Sequence, residues 1–196
     1  MIYTIGHSTR TLGEFLSLLG ERGIETLVDV RRWPTSKRCP HFNRESLSEA
    51  LAEEGIRYIW LGESLGGYRR EGLGEASPNG AWRSEGFRNY ADHALSEDFR
   101  RGLEELLRLA GAGRTACMCA ERHWWRCHRR IISDHLIARG VEVVHIVEGD
   151  EARRHKLNPS AVFSAGVLTY PPRKKGGTTL EAYGDKQMIP DDAAGR

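Results

Sequence analysis

Hydrophobic and polar residues alternate along the chain in blocks that predict strands and helices in turn. Short apolar runs predict strands at residues 2–6, 26–30, 56–61, 114–120 and 141–147. Between them, apolar residues at helical spacing predict helices at residues 11–20, 44–54, 87–95, 96–110 and 128–139. Such alternation is typical of an α/β fold with a mostly parallel sheet. We therefore predict a single three-layer, sandwich-like α/β domain over residues 1–149.

Two segments depart from this pattern. Residues 62–86 are rich in glycine and carry Tyr68, Arg69 and Arg70, and a loop of this length inside a domain is usually a lid, a binding loop or disordered. After residue 149 the periodicity decays, and residues 171–177 have the proline, glycine and lysine content of a linker. The remainder, residues 150–196, is predicted to be a C-terminal extension that is partly disordered and ends in a mobile tail.

Composition excludes several classes of protein. The 196 residues are 39% hydrophobic and 29% charged, which is ordinary for a domain with a core and unlike collagen or a disordered chain. No apolar run approaches the roughly 20 residues that span a bilayer, and the start lacks the pattern of a signal peptide. We therefore expect a cytoplasmic protein without a membrane partner. In that compartment its four cysteines would be free thiols, ligands or catalytic groups.

Polar residues gather where the predicted strands end. His7 and Ser8 follow the first strand, and Asp29 and Arg31 end the second. Gly66 and Gly67 lie shortly after the third strand, and Cys119 and Glu121 lie at the end of the fourth. Parallel sheets bind ligands beyond the carboxyl ends of their strands. The pattern therefore predicts one site at this edge of the sheet.

The segment with the most reactive side chains, residues 119–130, joins the fourth strand to the next helix. Cys127 and His128 are predicted in the first turn of that helix, where the dipole attracts anions and lowers the pKa of a thiol. Arg126 and Arg129 would strengthen both effects. Candidate catalytic residues are Cys119, Cys127, His128, Glu121, His7 and Asp29. Candidate ligand-binding residues are Ser8, Arg31, Arg126, Arg129, Gly66, Gly67 and Trp125.

Structural roles are open for some of these residues. Cys117, His135 and His145 fit the core. Asp29 is equally suited to capping the following loop or to pairing with a neighbouring arginine, and tryptophans such as those at residues 124–125 are more often packing residues than stacking platforms. The spacing from Cys119 to Arg126 is one residue longer than in the loops of tyrosine phosphatases and rhodaneses. Known nucleotide and hydrolase motifs are absent. The cysteine spacing is not that of a usual zinc site, and no cofactor is predicted.

Taken as an ordered set, the motifs resemble a known family. They are Gly6-His7-Ser8, Asp29-Val30-Arg31 with Pro34, Phe42-Asn43, Gly55-Ile56-Arg57-Tyr58, Leu65-Gly66-Gly67, Tyr90-Ala91, Cys119-Ala120-Glu121 and Cys127-His128-Arg129. This set is similar to the bacterial and archaeal family catalogued as domain of unknown function 488, over residues 1–147. The resemblance implies a small cytoplasmic α/β domain and supplies no activity. The long segment 62–86 and the tail depart from the family.

Four functions remain open at this point. The first is an enzyme with a cysteine, histidine and arginine anion site that acts on a phosphorylated small molecule or on nucleic acid. The second is a protein that binds single-stranded nucleic acid through interleaved arginines and aromatic rings, although the net charge of only +2 argues against a large footprint. The third is a metal-binding domain, and the fourth is a purely structural cluster. The expected partner is a ligand that bears phosphate or carboxylate; the oligomeric state is open.

Overall fold

Six strands form the central sheet of the computed structural model, which describes residues 1–148 and 151–172. The sheet order is β3-β2-β4-β1-β5-β6; the first five run parallel and β6 runs antiparallel to β5. The strands are β1 (Ile2–Gly6), β2 (Thr26–Asp29), β3 (Arg57–Trp60), β4 (Thr115–Cys119), β5 (Val143–Glu148) and β6 (Glu151–Arg154). The predicted α/β class with a mostly parallel sheet is confirmed.

Helices cover both faces of this sheet. They are α1 (Leu12–Gly20), α2 (Arg44–Glu53), α3 (Gly62–Leu65), α4 (Glu85–His93), α5 (Glu97–Ala112) and α6 (Arg129–Ile137). A capping box between Thr11 and Glu14 starts α1. Apolar residues of α1 and α2 form one core cluster, and those of α4, α5 and α6 form the other. The result is three layers: helices, sheet, helices.

The topology places a crevice between β1 and β4. These strands pair directly, with Gly6 opposite Cys119, yet the helices that follow them lie on opposite faces of the sheet. Chains that leave adjacent strands in opposite directions create an opening beyond the carboxyl ends, and ligands bind at such switch points. Backbone bonds extend the pairing past the strands, because His7 N donates to the Cys119 carbonyl and Val30 N donates to that of Met118.

The connection from β4 to α6 differs in one detail from the prediction. His128 is the N-cap of α6 and Cys127 precedes it in an extended conformation, so neither lies in the first helical turn. The cause is a short 3₁₀ helix, Trp124–Arg126, which closes with a hydrogen bond from Cys127 N to the Trp124 carbonyl. This turn delays the start of α6 and directs both residues toward the strand ends.

Residues 151–172 contain strands that periodicity did not predict. In addition to β6, this segment contains a hairpin of β7 (Val162–Ser164) and β8 (Val167–Thr169), which form a separate two-stranded sheet. Leu168 and Tyr170 are buried in the core beside α4, α5 and α6. The predicted mobile tail begins beyond this hairpin and lies outside the described residues. Among those described, no helix has both the length and the apolar character needed to cross a membrane.

Candidate functional site

A cleft of about 760 Å³ opens at the carboxyl ends of β1, β2 and β4. One wall comes from the strand ends and the segment that precedes α6. The opposite wall comes from residues 67–70 and from the start of α4. The cleft therefore lies at the crevice that the topology creates.

Two thiols and an imidazole meet on one side of this cleft. His128 Nδ1 lies 3.5 Å from Cys127 Sγ and 3.9 Å from Cys119 Sγ. His128 Nε2 lies 3.0 Å from the Val30 carbonyl oxygen, which can only accept, so Nε2 carries a hydrogen. Nδ1 is thereby left to face the two sulfur atoms. We call Cys119, Cys127 and His128 the cleft cluster.

The two thiols of the cleft cluster differ in acidity. Burial opposes ionisation of Cys127, but a hydrogen bond from Cys119 and the interactions with His128 and Arg129 outweigh it, so the pKa of Cys127 is well below its usual value. The same hydrogen bond and burial raise the pKa of Cys119 well above its usual value. Cys127 is therefore the more acidic of the two thiols, and Cys119 donates the hydrogen bond between them.

Arg129 lies behind the cleft cluster and is only 1% exposed. Its Nε donates to Cys127 Sγ at 3.5 Å, and its Nη1 donates to Thr4 Oγ1 at 3.4 Å. Its Nη2 donates to the carbonyl oxygens of Glu121 and Arg122. The guanidinium is held by the backbone after β4, so it fixes that turn and places a positive charge beside Cys127.

Gly67 comes very close to the cleft cluster from the opposite wall. A Cβ atom built on this glycine would lie 2.5 Å from His128 Nδ1, which is closer than real Cβ atoms approach other atoms. Only glycine fits at this position without displacing the imidazole. The neighbouring Tyr68 has a φ of 63°, a left-handed conformation that non-glycine residues seldom adopt.

A second buried group holds Arg31 in the cleft wall. Arg31 makes a two-pronged ion pair with Asp29, with Nη2 2.6 Å from Oδ2 and Nε 2.9 Å from Oδ1. Tyr58 also donates to Oδ2, at 2.7 Å. Arg31 Nη1 lies 3.3 Å from His7 Nε2, which must accept because a guanidinium only donates. Burial and then the charge of Arg31 lower the pKa of His7 to about 4, so His7 is neutral.

Arginines dominate the charge of the cleft lining. Five of them, against two glutamates, line it: Arg31, Arg32, Arg69, Arg70 and Arg126, with Glu85 and Glu121. Arg32 Nη1 and Arg69 Nη2 both donate to the Glu63 carbonyl, at 2.9 and 2.8 Å, which brings two positive charges together. Burial and then the charge of Arg32 lower the pKa of Arg69. Within residues 1–148 and 151–172, neither has a carboxylate partner.

Two exposed aromatic rings stand at the mouth of the cleft. Trp33 is 61% exposed and Tyr68 is 63% exposed, and their ring centres are 5.3 Å apart. Arg70 lies over the Tyr68 ring at 5.9 Å. Large aromatic residues exposed beside arginines offer a surface on which a flat ring can stack.

The residues matched by family comparison include nearly all of these groups. Residues 11–136 match the family described as Domain of unknown function DUF488, more than half of the chain. The chain belongs to this family. No curated protein and no solved structure matches it. Of the residues described above, His7 and the strand that leads to it lie outside the matched range of this DUF488 protein.

The structure brings most of the predicted site residues of the DUF488 protein to one place. Eight of them line the cleft: His7, Arg31, Gly67, Cys119, Glu121, Arg126, Cys127 and His128. Asp29 and Arg129 stand behind the lining, where each fixes a residue that does line it. Gly66 is buried beside the Arg32 backbone, so it supports the wall without lining it.

Two predicted ligand-binding residues are directed elsewhere. Ser8 lines a second, smaller cavity beside α1. Trp125 stacks on His123 with ring centres 4.4 Å apart, and it does not line the cleft. Their places as ligand-binding residues therefore have no support from the cleft geometry.

Several lining residues were absent from the predicted site, among them Arg32, Trp33 and Asn89. Arg69 and Arg70 carried a signal, because they fall in the long glycine-rich segment and interleave with aromatic residues. Asn89 carried none, since it lies inside a helix, where only the folded structure brings it to the cleft.

Proposed function

We propose that this protein is an enzyme that acts on a phosphorylated small molecule, with the cleft cluster as its reacting centre. The observation that carries the proposal is the arginine-rich cleft above Cys119, Cys127 and His128. Arg32 and Arg69 are the main anchors for the phosphate, because they lie close together and lack a carboxylate partner among the described residues. Arginine binds phosphate oxygens with two parallel hydrogen bonds, which also fixes the orientation of the substrate.

The remaining residues divide into reacting and positioning groups. Cys127 and His128 line the cleft and would face a bound phosphate, and Cys119 supports Cys127 by a hydrogen bond. Asp29 and His7 position Arg31, so their proposed role is to hold a binding group in place. The size of the cleft, about 760 Å³, suits a compound of metabolite or nucleotide size.

The exposed rings of Trp33 and Tyr68 favour a phosphorylated molecule that also carries a flat ring. In this arrangement the phosphate would contact Arg32 and Arg69, and the ring would stack at the mouth of the cleft. A nucleotide has this chemistry. The proposal thus selects nucleotides as the first compounds to screen.

Calorimetric titration with pyrophosphate and with nucleoside monophosphates tests this proposal. We expect Arg32→Gln and Arg69→Gln each to weaken binding by about 10- to 150-fold, because each removes a charge-assisted hydrogen bond of about 1.5–3 kcal/mol. Arg108→Gln is the matched control, since Arg108 is an exposed arginine on α5 that pairs with Glu105 away from the cleft. Equal affinity in all three variants would contradict the assignment of the anchors.

Turnover provides the second test of the proposed activity. Compounds that bind would be followed for loss of the parent molecule by mass spectrometry, and Cys127→Ser is expected to abolish any such loss. Full turnover in that variant would remove Cys127 from the reacting centre.

Binding of single-stranded nucleic acid is the second candidate, favoured by the same exposed pair of rings at the cleft mouth. Base stacking and phosphate contacts together are the usual means of such binding. Labelled oligonucleotides at increasing salt distinguish it, because affinity should fall steeply as counterions compete. Tight nucleotide binding without oligonucleotide binding would favour the small-molecule enzyme.

A further inference from the structure

We propose that Cys119, Cys127 and His128 bind one zinc ion whose fourth coordination position opens into the cleft. The three donor atoms, two sulfurs and Nδ1, lie within 4.8 Å of one another. This inference deepens the proposed function by giving its reacting centre a metal. It rests on that function only in assigning the open coordination position to the substrate.

The distances within the cleft cluster fit a tetrahedral zinc ion. Zinc bonds to sulfur and nitrogen of about 2.3 Å and 2.0–2.1 Å place neighbouring sulfur and nitrogen ligands about 3.5 Å apart. The observed distances from Nδ1 are 3.5 Å to Cys127 Sγ and 3.9 Å to Cys119 Sγ. Both distances lie within about 0.4 Å of the tetrahedral value, and the three donor atoms all lie within 4.8 Å of one another.

The surroundings of His128 match those of a metal-bound histidine. A histidine that binds metal through one nitrogen almost always donates a hydrogen bond from the other, which fixes the ring. His128 Nε2 donates to the Val30 carbonyl at 3.0 Å, and so Nδ1 is the nitrogen directed at both sulfurs. Arg129 Nε similarly donates to Cys127 Sγ, an outer contact that orients this ligand.

Charge and donor type select the metal. Two thiolates and a neutral imidazole carry a charge that a divalent cation balances, which matters because Cys119 and Cys127 are only 6% and 4% exposed. Thiolate with imidazole suits zinc, whereas magnesium and calcium prefer oxygen ligands. The cluster therefore favours zinc over the common hard cations.

The number of ligands indicates a zinc site that can bind substrate. Structural zinc sites usually have four protein ligands, while catalytic sites have three and leave a position for water or substrate. In the part of the chain that the structure describes, no fourth cysteine, histidine or acidic donor joins these three. All three line the cleft, so the open position faces the arginines. Zinc would supply Lewis acidity toward an oxygen of the bound substrate.

Metal content is the direct test. The full chain would be purified without chelators from zinc-supplemented cells and analysed by elemental mass spectrometry, with about one zinc per chain expected. Cys119→Ser, Cys127→Ser and His128→Gln should each lower that ratio severalfold. Cys117→Ser is the matched control, because Cys117 lies on the same face of β4, is fully buried and does not line the cleft.

Cobalt substitution gives a readout that does not depend on variants that may misfold. Co²⁺ bound by two thiolates should give an intense near-ultraviolet charge-transfer band, which zinc would displace. A folded wild-type chain that holds no zinc and gives no cobalt band would overturn the proposal. So would an unchanged zinc ratio in both folded cysteine variants at the cleft.

Pyrophosphate binding to the same preparations separates this proposal from the proposed function. Zinc without binding of pyrophosphate or any phosphorylated compound would leave the zinc site standing and contradict the enzyme. Pyrophosphate binding that requires Arg32 and Arg69, in a chain unable to bind zinc or cobalt, would support the proposed anchors and contradict the zinc site.

Discussion

Two buried polar clusters lie on either side of Arg129, and they differ in whether the protein itself satisfies their polar atoms. One is the cleft cluster. The other, which we call the internal network, consists of Thr4, His145, His155, Asp134 and Tyr170. Both contain histidine, and Arg129 donates to one member of each. The comparison separates side chains that stabilise the fold from side chains that are available to a ligand.

Every link of the internal network has a partner in the chain. Asp134 accepts from His155 Nε2 at 2.8 Å and from the Tyr170 hydroxyl at 2.9 Å. With His155 neutral, its Nδ1 accepts from His145 Nε2 at 2.9 Å, and His145 Nδ1 accepts from the Thr4 hydroxyl at 2.7 Å. Hydrogen bonds then run in one direction from Arg129 to Asp134. Such a network holds the segment after β5 against α6 and leaves no donor for a ligand.

The cleft cluster has the opposite character. Its Nδ1 and two sulfur atoms face one another, and beyond the hydrogen bond between the two thiols these three atoms can together hold a metal ion. It also borders an open cleft, whereas the internal network is enclosed. A buried histidine therefore does not by itself indicate a ligand site. Metal-binding atoms that meet at an open cleft are a stronger indication.

The largest expected effect comes from removing the acceptor of the internal network. Asp134 is fully buried and also accepts from Asn158 N at 2.9 Å, so Asp134→Ala leaves the buried Tyr170 hydroxyl and two partly buried N–H donors without this acceptor. We expect the free energy of unfolding, measured with urea by circular dichroism, to fall by about 4 kcal/mol. Asp134→Asn should lose less, because its amide oxygen still accepts.

Zinc content of the folded fraction sharpens the comparison further. If the two clusters have separate roles, the folded Asp134→Asn chain should hold as much zinc as the parent. A loss of zinc that exceeds the loss of folded protein would contradict the separation.

Gly67→Ala disturbs the cleft cluster and leaves the internal network untouched. The added Cβ would lie 2.5 Å from His128 Nδ1, so the imidazole must turn away from the sulfurs. We expect zinc affinity, measured by competition with a chromogenic chelator, to fall about 10- to 100-fold, as for other changes that misorient a metal ligand. Gly20→Ala is the control, because a Cβ there meets no neighbouring atom. Unchanged affinity in Gly67→Ala would show that His128 is not a ligand.

The pH dependence of stability should report the internal network through His145. Burial, followed by the electrostatic interactions with the neighbouring His155 and Arg129, lowers the pKa of His145 to about 2. The folded state keeps it neutral while the unfolded state protonates it below about pH 6.5, so stability falls as the pH drops below that value. His145→Gln should reduce this fall between pH 6.5 and 5 by about 1 kcal/mol per pH unit in urea titrations. Identical slopes in both proteins would mean that His145 does not stay neutral.

How far the sequence predicts this fold depends on the length of each pattern. The five parallel strands and the long helices have apolar residues at the period of their element, and they appear near the predicted positions. The strand β6 is short and charged, and β7 and β8 lie at a hairpin whose outer residues are exposed. Their stability comes from pairing and from burial of Leu168 and Tyr170, contacts between distant residues that periodicity does not report.

The sequence predicts those parts of the candidate site whose positions follow from the sheet topology alone. The carboxyl ends of β1, β2 and β4 had to meet, and His7, Arg31 and Cys119 do line one cleft. The convergence of Cys127 and His128 on Cys119 required the 3₁₀ turn at Trp124–Arg126, which the spacing of residues does not reveal. The aromatic mouth depended on a loop conformation with positive φ at residue 68.

Thr4→Val has the smallest expected effect, and it asks whether the two clusters act independently. Thr4 Oγ1 is the atom that joins them, since it accepts from Arg129 and donates to His145. Valine has the same shape but removes the hydroxyl, and we expect a loss of about 1–2 kcal/mol in unfolding free energy. Arg129 keeps its bonds to the backbone and to Cys127, so zinc affinity should stay within about twofold of the parent. A much larger loss of zinc affinity would mean that the Arg129 guanidinium depends on the internal network to contact Cys127. The two clusters would then be coupled.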